Sequence, residues 1–169
     1  MTTSTAINFD SLTTQECKSA IDRIFASSIT SNGQWLMSSE DVLIAHYGVM
    51  NNIQLRDYLM GAPTVYSLDH CITAIAKIVN VCNAKELDSY AFNTVGASFY
   101  FELDNKAQAL LMLSVALEKD YSLAKLIARV ILGGAPSHIF GAMRAELHSK
   151  VVDNLADDSD KLANESNRG

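Results

Sequence analysis

Apolar residues recur at spacings of three and four from Thr14 onward, the pattern of helices that bury one face. Cys17, Ala20, Ile21, Ile24 and Phe25 form the first stripe, with Lys18, Asp22 and Arg23 turned outward. Asn32 and Gly33, in the stretch TSNGQW, tolerate the left-handed turn that ends it. A second helix starts in SSEDVLIAHYGVMN, with Ser38 as N-cap and Asp41 in the first turn, where the helix dipole favours a carboxylate. A short helix in NIQLRDYLMG is capped by Asn52 and closes at Gly61. Leu68, Cys71, Ile72, Ile75 and Val79 make the cleanest apolar stripe, opposed by Asp69, Thr73, Lys77 and Asn80.

Asn83 reads as the cap of a fifth helix that begins at Ala84 and carries Tyr90, Phe92, Phe99 and Tyr100. From about Asn105 to Lys119 the chain is apolar on nearly all sides, with Leu110, Leu111, Met112, Leu113, Val115 and Leu117, as expected of a helix in the middle of a domain. Ser122 caps a further stripe of Leu123, Leu126, Ile127, Val130 and Ile131, which Gly133, Gly134 and Pro136 stop. A last helix runs from Ser137 to about Leu155. No segment sustains alternation of period two. The expectation is therefore an all-α fold, a compact bundle of about seven helices. It forms one domain over residues 13–155, between a flexible tail at 1–12 and a disordered acidic tail at 156–169.

Within the bundle, residues 97–120 follow the spacing of a tetratricopeptide unit. Ala97, Tyr100, Ala109, Leu113, Ala116, Leu117 and Asp120 stand at its small, aromatic, bulky and acidic places. Asn93 stands where the unit has tryptophan, and Tyr121 where it has proline. A stack needs about three such units, so the stretch is expected to be one helical hairpin. The same residues, preceded by GASFYFELDNKAQA and continued by Ala116, Leu117, Asp120, Tyr121, Ser122, Leu123 and Ala124, resemble the C-terminal part of domain-of-unknown-function family 4192. That family is found in actinobacteria and their phages. Arg56–Leu59 (RDYL) resembles a short element upstream in it. The resemblance covers about residues 95–132. It implies a bacterial or phage cytoplasmic protein and brings no activity, cofactor or catalytic motif.

Composition narrows the chemistry. The 169 residues suffice for one domain with a real core, and the net charge of −6 disfavours nucleic acid and anionic membranes as partners. No run of about 20 apolar residues is present to span a bilayer, and MTTSTAINFDSL has neither the basic nor the apolar region of a secretory signal. Cys17, Cys71 and Cys82 lack metal-site spacing; on one helix Cys71 and Cys82 would stand about 16 Å apart, beyond a disulfide. Reduced, buried thiols in a cytoplasm are expected. His70 and Cys71 are neighbours that point about 100° apart on a helix and so form no dyad. His46, His138 and His148 show no His-x-x-x-His or Glu-x-x-His pairing for a metal. GGAP at 133–136 follows a helix and reads as a stop, not a phosphate loop.

What remains is a non-catalytic protein–protein interaction module, a bacterial or phage accessory protein without cofactor or metal. It would bind a protein partner or a second copy, and no nucleic acid, membrane or small molecule. Trp35, Tyr47 and Tyr58 are the candidate partner-binding residues, as aromatics in or near polar segments. The alternative is an acidic phage-type inhibitor covering a basic surface of a host enzyme. That reading would require carboxylates such as Glu16, Asp22, Glu86 and Asp88 to cluster from separate helices.

Overall fold

The protein is all-α. A computed structural model describes residues 6–27 and 36–166, and of residues 158–166 the backbone alone. Eight α-helices lie among the described residues: α1 (Thr14–Ala26), α2 (Ser39–Asn51), α3 (Ile53–Met60), α4 (Leu68–Ala84), α5 (Tyr90–Glu102), α6 (Lys106–Glu118), α7 (Ser122–Leu132) and α8 (Ile139–Ser166). Short 3-10 turns occupy Phe9–Ser11 and Ala62–Thr64. The caps read from the sequence at Ser38 and Asn52 hold: Ser38 accepts from the Asp41 amide and Asn52 from the Gln54 amide. Thr13 forms a reciprocal capping box with Glu16 at the start of α1. The turn expected at Asn32 and Gly33 lies outside the described residues. α8 runs past Leu155, where the sequence reading ends it, to Ser166.

Besides α8, which begins at Ile139 rather than after Ser137 and ends at Ser166, two boundaries differ from the sequence reading. Asn83 does not cap α5; it lies in the last turn of α4, and α5 begins at Tyr90 after Ser89. The N-cap of α7 is Tyr121, with Ser122 its first helical residue. Both shifts have one cause. Four successive helices, α4 to α7, end in a left-handed residue that lets the amide beyond it reach back to the last turn. These residues are Glu86, Asp104, Asp120 and Gly134, with φ of 56°, 61°, 57° and 81°. The reaching bonds run from Leu87 to the Cys82 carbonyl, Asn105 to Tyr100, Tyr121 to Ala116 and Ala135 to Val130. Three of the four left-handed positions carry a side chain, where glycine adopts that region without steric cost. Asp104→Gly should therefore stabilise the fold by about 0.5–1 kcal/mol, read as a higher midpoint in urea at unchanged slope.

The middle of the fold is α5, not α6. Every residue from Ala91 through Phe99 is buried, although Asn93, Thr94 and Ser98 are polar. Each of these satisfies itself locally: Asn93 Nδ2 donates to Ser89 Oγ at 3.0 Å, Thr94 Oγ1 to the Tyr90 carbonyl at 2.8 Å, and Ser98 Oγ to the Val95 carbonyl at 2.6 Å. A polar group with its hydrogen bond made on its own helix carries little penalty for burial. Gly96 lets α4 and α6 close on α5, since a Cβ there would lie 2.7 Å from Met112 Cε and 3.0 Å from Ile75 Cγ2. α6 buries only Ala109, Leu113 and Ala116. Those three meet Ala97 and Phe101 of α5 and Ala124, Ile127 and Ile131 of α7 in the smaller of two core clusters. The larger joins α1 to α5 and Leu155 of α8, and Met60, Tyr90, Met112 and Tyr121 pack against both. The stretch from 97 to 120 is thus a hairpin built on small residues inside a bundle.

α8 closes over α3 and α5 through a largely buried ion pair. Arg144 Nη1 and Nη2 reach the two Glu102 oxygens at 3.0 and 2.6 Å, and Arg144 Nε donates to the Met60 carbonyl at 3.2 Å. Gly141 leaves room for it, since a Cβ there would stand 2.7 Å from Glu102 Oε1. Arg56 of α3 likewise holds Asp57 at 2.8 Å and reaches Tyr121 Oη at 3.4 Å. The RDYL element and the turn at 120–122, which lie far apart in sequence, therefore touch.

Candidate functional site

The three aromatic candidates occupy different settings. Trp35 lies outside the described residues. Tyr47 is half-buried on α2, its ring tilted against Phe9 at 5.4 Å between centroids. Tyr58, also half-buried, sits at the centre of a polar knot. Its hydroxyl donates to Asp22 Oδ1, Lys18 Nζ lies 3.0 Å from Asp22 Oδ2 and 4.8 Å from the Tyr58 ring centre, and the His148 ring stacks on it at 5.9 Å. Burial, then the bond to Asp22, raises the Tyr58 pKa above its ordinary value. Both tyrosines contribute to packing between elements. The structure does not bring them together with one another as a patch.

The large apolar side chains left in solvent are elsewhere. Leu111 and Val115 project from α6 at 64% and 44% exposure, and Leu126 and Leu132 from α7. Ala107, Leu111 and Val115 stand four residues apart on the outer side of α6, a helix with no charge between Lys106 and Glu118. The signal was visible in the sequence as a helix apolar all round. A helix of that kind normally lies in the core, but α6 buries only Ala109, Leu113 and Ala116.

The titratable groups are mostly engaged. Burial raises the thiol pKa of Cys17, and pushes Cys71 up to about 12 and Cys82 to about 11; all three are free and buried. Protonated thiols of this kind are inert rather than nucleophilic. His70 Nε2 hydrogen-bonds the Phe25 carbonyl at 2.7 Å, and its ring stacks on Tyr66. His46 Nε2 does the same with the Asp88 carbonyl at 2.8 Å. Burial, then the Arg144 charge, lowers the His148 pKa, and its Nδ1 is buried without a hydrogen-bond partner against Gly61. Of the acidic set proposed for an inhibitor, Glu16 accepts from the Thr13 amide, Asp22 is held by Lys18 and Tyr58, and Asp88 lies 3.4 Å from Lys119. Among the described residues, no three His, Cys, Asp or Glu side chains are placed to share a metal ion. No helix among them is long and apolar enough to cross a membrane.

Comparison with family models, with curated proteins and with solved structures finds no match to this chain in any of the three.

Proposed function

We propose that the protein is a non-catalytic helical interaction module that pairs with a second copy of itself through the outer side of α6. The observation that carries this reading is the uncharged row of Ala107, Leu111 and Val115 facing solvent on a helix whose other side is already packed. Rows at a spacing of four are the ridges that interdigitate when two helices cross. A row without charges offers a foreign partner nothing to select, whereas a second copy presents the same apolar ridge in a two-fold contact. A bacterial or phage accessory role follows from the resemblance of residues 95–132 to family 4192. The inhibitor alternative has less support, because Asp22, Asp88 and Glu16 are occupied within the chain.

Light scattering behind size-exclusion chromatography tests the pairing. The wild type should elute as a concentration-dependent dimer, and Leu111→Glu with Val115→Glu should be monomeric with unchanged helicity, since each added carboxylate would have to be desolvated in the contact. A wild type that stays monomeric at every concentration overturns the pairing, as does a doubly substituted protein that still dimerises.

A further inference from the structure

α3, α5, the start of α7 and α8 enclose a half-open cleft of about 210 Å³. Met60, Leu123, Phe140, Met143, Leu147 and Val151 form its walls. Its volume exceeds the roughly 150 Å³ that holds benzene and falls short of the roughly 300 Å³ at which drug-sized pockets begin. A peptide segment does not fit; a molecule of about ten non-hydrogen atoms does.

Two charged side chains, Asp57 and Arg144, line the cleft, and both are neutralised by the protein. The Arg144 guanidinium is held by both Glu102 oxygens and the Met60 carbonyl. Asp57 accepts from Arg56 Nε at 3.1 Å and Nη2 at 2.8 Å. An ion entering would lose its hydration and find no free counter-charge. Two polar groups of the lining remain for a ligand. Ser98, 1% exposed, gives its hydrogen to the Val95 carbonyl and keeps oxygen lone pairs, and His148 Nδ1 is buried without a hydrogen-bond partner, able to accept when the ring carries its hydrogen on Nε2.

The walls are pinned in place. Arg144 ties the end of α3 to α8, and Gly61 sits so close to the His148 ring that a Cβ would lie 1.9 Å from Nδ1. A cleft held open in this way need not be ordered when a ligand binds.

We propose that this cleft is a binding site for a small, neutral, mainly apolar molecule with one hydrogen-bond donor, of the size and chemistry of indole or a phenol. Nothing in the sequence pattern announces it, because its residues come from four helices. The nearest signal is the placement of Arg144 and His148 within the otherwise apolar row Phe140, Met143, Leu147 and Val151 of α8. The site is separate from the outer side of α6, so it stands or falls independently of pairing.

The test is a titration of the isotope-labelled full chain with indole and with benzoate, followed by amide chemical shifts. Indole should give saturable shifts at Gly61, Leu123, Met143 and Leu147, and benzoate should bind at least about tenfold more weakly for want of a counter-charge. Met143→Trp, at the half-exposed rim, should fill the cleft and abolish the indole shifts while helicity and melting temperature hold. Leu147→Trp serves the same purpose if the first variant is unstable. Ser98→Ala should weaken indole a few-fold through the lost acceptor. Absence of saturable shifts, equal binding of benzoate, or indole binding that survives a folded cleft-filling variant would overturn the site.

Discussion

Glu102→Gln should lower the stability of the folded chain by about 3 kcal/mol, measured by urea unfolding at neutral pH. Arg144 and Glu102 are 11% and 15% exposed, so neither is solvated well enough to stand alone. Glutamine keeps the shape and one acceptor oxygen but removes the negative charge, leaving a guanidinium without its partner in a poorly hydrated site. Low water access also makes the loss nearly independent of salt, unlike that of a surface pair. The exposed pair Lys119–Asp88 is the internal control: Asp88→Asn should change stability by at most about 0.5 kcal/mol.

The same pair shows why removing one partner and removing both differ. Arg144→Met together with Glu102→Gln should recover most of the loss, because the uncompensated charge goes with its partner and methionine packs among the neighbouring apolar side chains. The pair then contributes mainly direction: it sets which turn of α8 meets the Met60 carbonyl, and so the shape of the cleft. A Glu102→Gln protein within about 0.5 kcal/mol of wild type would mean that Arg144 is solvated, and the clamp argument would fail.

The helical class and most of the boundaries were legible because they depend on local chemistry. The capping residues Ser38 and Asn52 and the stop at Gly61 act within one turn of where they stand, and α1 shows its buried stripe residue for residue. Helix rank in the bundle was not legible in this way. α5 lies at the centre although it carries Asn93, Thr94 and Ser98, whose hydrogen bonds return to their own helix, so their polarity misleads. α6 lies outside although it carries no charge between Lys106 and Glu118, because only Ala109, Leu113 and Ala116 turn inward toward α5 and α7. The left-handed ends at Glu86, Asp104 and Asp120 were missed for want of a glycine. The cleft was missed because long-range packing builds it: Ser98 and Met143 are brought together by an ion pair that no spacing rule reveals.

The two faces of α6 give the sharpest separation. Leu113→Ala should destabilise the protein by about 3–5 kcal/mol, whereas Leu111→Ala should cost no more than about 0.5 kcal/mol at concentrations where the chain is monomeric. Leu113 is fully buried against α5 and α7, and its removal leaves a cavity bounded by helices that are already in contact. Leu111, two positions away, points into solvent and loses only marginal burial. The comparison holds helix propensity and substitution constant, so the difference reports burial alone. Repeating Leu111→Ala at high concentration adds the second copy: if α6 pairs across a two-fold axis, its cost should grow with protein concentration, because only the dimer buries that side chain. A Leu111→Ala cost that is large and independent of concentration would place the residue inside the monomer and remove the outer face of α6 as a pairing surface. A cost that stays near zero throughout would leave the fold as described and remove the pairing alone.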